Sequence, residues 1–464
     1  SSSHFSAKHQ PTRQAMGMTW ARAGCYVLIP DHLGHGERQQ HPFGADDPHD
    51  YHFRHDLGLQ LHLAGESLMG WLVWDLRCGI DVLLQQKGID PQRLILLSDP
   101  AGGGDVAAVT AALDERVRGV MVQNFGGPEP EHPYPLPRDA EDSFPFAGSG
   151  SWESTRNLRL SARDGFLPWL IVAAAAPRRL IYDHEFYWDK DQDPVWKRLR
   201  QVYGLYQAED QLVGVGGRGF VVGSAPENSH WLALNRELLY PVLERWFRIP
   251  NPKKEYSQPV PAEDLRCLTQ DLAQKLQPQP AHALAGRMAA DRLAAARKKR
   301  EKLPPGQMRA SLRQDWQRLL GPVEPPGAAV RKGLPLPAEQ LGKVVVERLH
   351  LGTEPGLVVP ALLLLPEIAR EKKVPLVLAL AQQGKQGFLQ HRAELLAALL
   401  QSGHAVCLPD LRGTGESQPD DRRDRTSAAV ALNASAWMLG DSLLAGRLRD
   451  ARSLLQHLRG RADI

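Results

Sequence analysis

Apolar residues follow two patterns in the first half of the chain. Short apolar runs at 93–97, 117–122, 179–182 and 211–215 have the length of buried strands, and the stretches 105–113 and 236–247 carry apolar residues at helical spacing. Strands that alternate with helices favour a doubly wound, mostly parallel sheet. The pattern therefore predicts an α/β fold.

The last third of the chain predicts a second set of α/β elements. Two apolar runs, 344–351 and 357–365, flank the glycine-rich segment 352–356, which is typical of a hairpin. Further strands are predicted at 375–380 and 404–408, with a helix at 393–400 between them. These elements predict that a second α/β domain begins in this region.

An internal repeat connects the two regions. Residues 24–37 match residues 403–416 without a gap, and seven of the fourteen positions are identical. A second match aligns 67–77 with 442–452, including a Ser-Leu pair and an Asp-x-Arg motif that is expected to make structural ion pairs in both copies. The repeat predicts two incomplete copies of one fold: a first domain at 1–250, a helical connector at 251–334, and the N-terminal half of a second domain at 335–464. We expect the chain to be part of a longer tandem protein, which leaves its compartment and oligomeric state open.

Composition and charge narrow the class of partner. The 464 residues carry 56 basic and 53 acidic side chains, a balance that does not favour nucleic acid. The longest nearly uncharged apolar run, 166–177, is shorter than a membrane span. Four scattered cysteines predict neither a disulfide framework nor a zinc site, and the histidines at 41–62 are expected to lie in a polar loop rather than to bind metal.

The strongest candidate for chemistry is the segment 98–104. A strand, a tight turn of small residues and a helix form the nucleophile elbow of hydrolases, in which glycines let the backbone turn sharply. Gly102 and Gly103 fit the side of the turn that leads into the helix, and Ala101 occupies the position of the nucleophile. An alanine has no heteroatom with which to attack a substrate.

This order of elements resembles the α/β-hydrolase superfamily, in particular the acetyl xylan esterase-like carbohydrate esterases. The resemblance rests on the motif PDxxGxGE at 30–37 and 409–416, on the elbow glycines followed by 111–116, and on Ser229-His230 followed by 235–237. It covers about 1–250 and 335–464. It implies a carboxylic ester hydrolase that deacylates an esterified carbohydrate or a similar ester through a serine acyl-enzyme, without a cofactor.

The resemblance also assigns roles to residues. It implies that His230 is the base, with a structural hydrogen-bonding histidine as the alternative, and that the acid follows the strand at 179–182. Glu185 and Asp189 are both placed for that role, and Asp183 is also available.

The alanine at the nucleophile position leaves three hypotheses. The first domain is a natural pseudo-hydrolase, which we favour, or Ala101 replaces a serine by design, or Ser98 or Asp99 acts instead. A non-catalytic binding or scaffolding module is the alternative of another functional class.

The second copy supplies a candidate oxyanion-hole segment at 380–385. The resemblance implies that a backbone N–H at Gln383 stabilises the oxyanion, with an ordinary glycine turn as the alternative. The corresponding loop of the first copy is expected at or before Ser1. Trp71 and Trp74, at helical spacing, are expected in the core.

Overall fold

The chain forms two compact units in a computed structural model. Unit 1 is Ser1–Lys299 and unit 2 is Arg300–Ile464. The division lies inside the segment 251–334 that was predicted to connect two domains. The structure describes residues 8, 11–38, 50–98, 103–126, 158–184, 188–217, 236–325, 331–332, 338–418 and 428–464.

Unit 1 contains a parallel sheet of four strands, whose spatial order follows their order in the chain. All three strand pairs are parallel, as in the pairing of Met121 with Ile181 and of Ile181 with Val213. This confirms the predicted α/β class and the parallel sheet. The strands are β1 (Ile95–Leu97), β2 (Gly119–Gln123), β3 (Arg179–His184) and β4 (Leu212–Gly216); the helices are α1 (Pro11–Arg22), α2 (Asp50–Leu63), α3 (Leu68–Leu84), α4 (Gly104–Leu113), α5 (Pro168–Ala173), α6 (Pro194–Leu205), α7 (Tyr240–Phe247), α8 (Gln270–Leu276) and α9 (Ala281–Arg300).

Helices pack on both faces of this sheet, because successive side chains of a strand point to opposite faces. On one face Ile181 and Val215 join a core with residues of α1 and α7, including Leu243. On the other face Tyr182 contacts Trp196 of α6, and a Cβ at Gly214 would touch the same tryptophan.

The repeat also implies a strand at 25–29 of unit 1, the counterpart of the predicted strand at 404–408, but the structure forms none there. Residues 25–29 form no strand, and Tyr26 and Val27 are 58% and 39% exposed. The matching strand of unit 2, Ala405–Pro409, is buried at every position and hydrogen-bonds to a neighbour on each side. A strand needs such a neighbour, and the described residues of unit 1 supply none at 25–29.

Unit 2 is built around a long antiparallel hairpin. Its sheet has the order β5-β7-β8-β10-β9, with β6 also paired to β7; β10 is antiparallel to β8 and parallel to β9. Leu363, Cys407 and Leu454 are fully buried in its core. The strands are β5 (Arg331–Lys332), β6 (Glu339–Leu341), β7 (Val344–Glu354), β8 (Leu357–Pro366), β9 (Leu376–Leu378) and β10 (Ala405–Pro409); the helices are α10 (Pro305–Leu320), α11 (Gly384–His391), α12 (Ala393–Gln401), α13 (Ala428–Met438) and α14 (Leu443–Arg459).

The first part of the predicted connector packs along unit 1. Glu255 accepts hydrogen bonds from the buried Arg236 and from Tyr240. The Gln14 side chain exchanges hydrogen bonds of 3.0 and 2.8 Å with the backbone of Val260. Residues 251–299 therefore belong to unit 1.

The second part of the repeat is confirmed as a helix start. Ser67 caps α3 and Ser442 caps α14, each accepting a hydrogen bond from a backbone N–H three residues later. The predicted ion pairs of Asp75/Arg77 and Asp450/Arg452 form with residues outside the motif: Asp75 pairs with Arg38 and Arg77 with Asp114, and the buried Asp450 pairs with Arg412 and Arg452 with Glu324. The placement of Trp74 in the core was wrong, since it is 67% exposed on α3.

Candidate functional site

The candidate elbow connects β1 to α4 at the carboxyl edge of the parallel sheet. Residues 99–102, which include Ala101 and Gly102, lie outside the described residues. Gly103 is the N-cap of α4, and a Cβ on the next residue, Gly104, would overlap the carbonyl oxygen of Gln123. Only glycine lets α4 cross β2 this closely. The carboxyl edge of a parallel sheet is also where α/β proteins bind ligands.

Ser98 has a structural position at this edge. Its hydroxyl is buried and accepts a hydrogen bond from the Gln123 N–H at 3.0 Å, and its own N–H donates to the Met121 carbonyl at 3.3 Å. These bonds join the ends of β1 and β2. The hypothesis that Ser98 is the nucleophile gains no support from this geometry.

A buried side-chain amide lies at the same edge. Gln123 ends β2 with 1% of its surface exposed, and neither its oxygen nor its nitrogen has a hydrogen-bond partner among the described residues. Most buried amides are hydrogen-bonded, because leaving one unpaired costs free energy. Gln123 is therefore a candidate contact for a ligand carbonyl or hydroxyl, which the sequence pattern did not single out.

Of the residues predicted for acid–base chemistry in unit 1, only Asp183 and Asp189 fall within the described part. His230 and Glu185 lie outside it. Asp183 is buried near the end of β3. Asp189 is half-buried in the turn before α6, where its backbone carbonyl accepts from the N–H groups of Gln192 and Asp193.

Sequence reasoning missed a second buried carboxylate in this turn, Asp193. It caps α6 by accepting from the N–H of Val195 at 2.7 Å, and it accepts from the indole N–H of Trp188 at 2.8 Å. The Nε2 atom of His184 lies 3.7 Å from its carboxylate. The signal was available, since Asp before Pro at a helix start is a typical N-cap.

Burial controls the charge of this pair. It raises the pKa of Asp193 to about 6 and lowers the pKa of His184 to about 3. The His184 ring stacks on Trp188 with centroids 4.6 Å apart. His184 is thus a neutral, enclosed histidine that supports the end of β3.

The repeated PDxxGxGE loops form the same hydrogen-bonded arrangement in each unit, which we call the aspartate knot. In unit 1 the buried Asp31 accepts from the N–H of Lys8 at 2.9 Å and from the N–H of Glu37 at 3.2 Å, and the Lys8 ammonium pairs with both carboxylates. In unit 2 Asp410 accepts from the N–H groups of Lys385 and Glu416 at 2.6 and 3.0 Å.

The knot of unit 2 has the same ion pairs. The Lys385 ammonium pairs with Asp410 and with Glu416. The expectation that the counterpart of this loop lies at or before Ser1 was therefore wrong, because Lys8 takes the place of Lys385. The two lysines precede their aspartates by 23 and 25 residues, so an ungapped repeat does not align them.

Gln383 is the N-cap of α11, directly before the turn that forms the knot. Gly384 has a φ of +73°, and a Cβ there would overlap the Asp410 carboxylate. The glycine turn therefore places the Lys385 N–H where it donates a hydrogen bond to Asp410. This structural use accounts for the turn without an oxyanion, so the assignment of Gln383 to an oxyanion hole stays a prediction.

In the described ranges the potential metal ligands are dispersed. Within them, no three His, Cys, Asp or Glu side chains come together as a metal site, and no helix is long and apolar enough to cross a membrane. The placement of the histidines in a polar loop was wrong for those within α2, where His55 pairs with Asp56 at 3.3 Å and burial lowers the pKa of His62 to about 4.

Comparison with known proteins gives distant structural neighbours. The chain is similar to a Bacteroides fragilis protein assigned as an acetyl xylan esterase, at 17% identity and a TM-score of 0.29, over 34% of this chain and 44% of the other. It is also similar to the methylesterase BT1017, at 17% identity and a TM-score of 0.37, over 62% of this chain and 58% of the other. The chain thus spans about half the length of each neighbour. No protein-family profile and no curated protein sequence matches it.

Proposed function

We propose that the chain has the scaffold of a carboxylic ester hydrolase of the acetyl xylan esterase-like type, and that unit 1 has lost the catalytic nucleophile. The observation that carries the proposal is the elbow. Strand β1 ends at the carboxyl edge of a parallel sheet, and α4 begins at a glycine pressed against the β2 backbone. In the sequence between them, Ala101 stands at the position that the elbow pattern gives to the nucleophile.

Two further observations support the hydrolase type and the presence of two copies. Helices pack on both faces of the sheet of unit 1, as in a doubly wound fold. The aspartate knots around Asp31 and Asp410 match in donors and backbone turns, as expected for two copies of one ancestral loop.

The proposed chemistry is deacylation of an esterified carbohydrate. In an intact elbow of this type a serine attacks the ester carbonyl, the base, here His230, takes its proton, and a carboxylate such as Glu185 or Asp189 orients the imidazole. Water then releases the acyl group, and no cofactor is required. With Ala101 in place of the serine, His230 has no hydroxyl to activate.

Restoring the elbow tests this proposal. The matched variants are Ala101→Ser, Asp99→Gly and the two combined, because the elbow pattern places a small residue two positions before the nucleophile. The probe is a fluorophosphonate, which labels activated serines, with p-nitrophenyl acetate as the hydrolysis substrate. We expect labelling of the combined variant alone, and we expect His230→Ala added to it to abolish the labelling.

Two results would contradict the proposal. If the combined variant folds, as judged by circular dichroism, but remains unlabelled, the elbow does not belong to a hydrolase. If the unaltered chain hydrolyses p-nitrophenyl acetate and His230→Ala removes that rate, unit 1 is not degenerate.

A second candidate function is a non-catalytic binding module, favoured by Ala101 and by the structural role of the Ser98 hydroxyl. We expect the unaltered chain to bind acetylated xylo-oligosaccharides without releasing acetate, which calorimetry and an acetate assay distinguish. Binding that is equally tight after chemical deacetylation would assign the module to the glycan rather than to its esters.

A further inference from the structure

A cavity of about 540 Å³ opens at the amino edge of the parallel sheet of unit 1, opposite the elbow. Arg93, Arg118 and Arg179 line it from positions just before β1, just before β2 and at the start of β3. Arg248, directly after α7, also lines it. We call this the amino-edge cavity.

Positive charge in this cavity exceeds negative charge. Asp90 is the one carboxylate among its lining residues, and it pairs with Arg93 at 3.0 Å. Among the described residues no carboxylate forms an ion pair with Arg118, Arg179 or Arg248. Like charges brought together without counter-charges repel one another, so a bound anion would stabilise the folded unit.

The arginines differ in how many of their N–H groups already donate hydrogen bonds to other parts of the protein. A further lining residue, Arg178, donates to the backbone carbonyls of Ala111, Asp114 and Val117, which makes it a structural residue. Arg179 uses its Nε on Gln211 and lies over the Phe247 ring.

Arg118 supplies the most direct sign of a missing ligand. Its Nε is buried and has no hydrogen-bond partner among the described residues. A buried guanidinium nitrogen without an acceptor costs free energy, and an anion bound to the rest of this guanidinium would offset that cost by neutralising its charge. Burial also lowers the pKa of Arg179, and the charge of Asp210 offsets only part of this effect.

We propose that the amino-edge cavity binds a tetrahedral dianion, a phosphate or sulfate group, with Arg118, Arg179 and Arg248 as its ligands. Planar guanidinium groups match such oxygens because each offers paired N–H donors. The cavity is larger than a single tetrahedral anion and lies in the size range of small-molecule sites, so the group belongs to a phosphorylated or sulfated small molecule.

Thermal unfolding of the full chain tests the site directly. Inorganic phosphate and sulfate are titrated against sodium chloride at constant ionic strength. A ligand that binds only the folded state raises the melting temperature, by on the order of 5 °C at a hundredfold excess over Kd. We expect a saturable rise with the dianions and none with chloride.

Variants test which arginines bind the anion, and a second ligand distinguishes a phosphorylated small molecule from free phosphate. We expect Arg118→Gln and Arg248→Gln to weaken phosphate binding at least tenfold, and Arg163→Gln to leave it unchanged, because Arg163 is an exposed arginine paired with Asp164. Arg248 is exposed, so its variant keeps the test open if Arg118→Gln fails to fold. Tighter binding of glucose 6-phosphate than of phosphate supports a phosphorylated small molecule, with glucose as the control. An equal shift in all variants, or no shift beyond that of chloride, would overturn the proposal.

Discussion

The two aspartate knots share their hydrogen bonds, but the segments that lead into them differ. In unit 2 the preceding residues form β10, buried between two strands; in unit 1 the matching residues 26–30 form no strand, and all but the half-buried Ile29 are exposed. The loop geometry is thus maintained with or without a flanking sheet. The knot therefore does not require a flanking strand, whereas the strand requires neighbouring strands that come from elsewhere in the chain.

Two valines at matching positions of the repeat are expected to differ most in how much their substitution lowers the free energy of unfolding. Val406 is fully buried in β10, and its counterpart Val27 is 39% exposed. We expect Val406→Asp to lower the free energy of unfolding by about 4 kcal/mol or more, because it buries a charge, and Val27→Asp to change it by less than about 1 kcal/mol. Urea unfolding measures both, and similar losses would show that residues 25–29 are also a buried strand.

Removing the central carboxylate tests whether the knots are energetically equal. Asp410→Ala and Asp31→Ala each leave two backbone N–H groups without their acceptor and remove one of the two carboxylates that pair with the lysine ammonium. We expect each to cost about 3 kcal/mol. The control is Asp56→Ala at an exposed position, expected to cost less than about 0.5 kcal/mol. A much smaller loss for Asp31 would mean that the knot needs its flanking strand.

Glycines of the repeat distinguish the cost of placing a side chain at a positive φ from the cost of a steric overlap with the aspartate. Gly36 and Gly415 have φ values of +52° and +49°, and a Cβ on either would overlap the aspartate carboxylate. Gly24 also has a positive φ of +91°, but nothing lies within 4 Å of its Cβ position. We expect about 2–3 kcal/mol for Gly36→Ala and Gly415→Ala, against about 1 kcal/mol for Gly24→Ala, in the same unfolding assay. Equal costs at all three positions would contradict the packing of glycine against aspartate.

Acid is expected to weaken unit 1 through its buried histidines. The folded-state pKa of His184 is about 3, below its ordinary value of 6.5, so its contribution to stability is present above pH 6.5 and is lost as the pH falls towards 3. Asp193, with its raised pKa, opposes this between about pH 4 and 6. Lowering the pH from 7 to 5.5 should cost about 1 kcal/mol, seen as faster amide exchange in β3, and His184→Gln should reduce that dependence. Unchanged exchange would indicate a solvated histidine.

Most strands and helices could be predicted because their pattern is local. The apolar runs at 179–182 and 404–408 lie within β3 and β10 to within two residues. The apolar run at 25–29 has the same pattern but forms no strand. The hydrophobic pattern of a segment does not reveal whether a neighbouring strand is available to pair with it.

The site was less predictable because its residues come together from distant parts of the chain. Lys8 joins the knot from a position that an ungapped repeat cannot align. Arg118 and Arg248 come together through the order of the strands, which composition does not report. Asp193 was the exception, since its N-cap pattern is local and was overlooked.

The strap formed by residues 251–268 has a practical consequence for preparing unit 1 on its own. An expression boundary at residue 250, where the sequence suggests that the first domain ends, would remove the Glu255 carboxylate from Arg236 and Tyr240. It would also remove the backbone N–H groups of Cys267 and Leu268 that hold Glu37 of the knot. A recombinant version of unit 1 should therefore extend to Lys299, and a shorter one is expected to precipitate or to be cleaved by proteases.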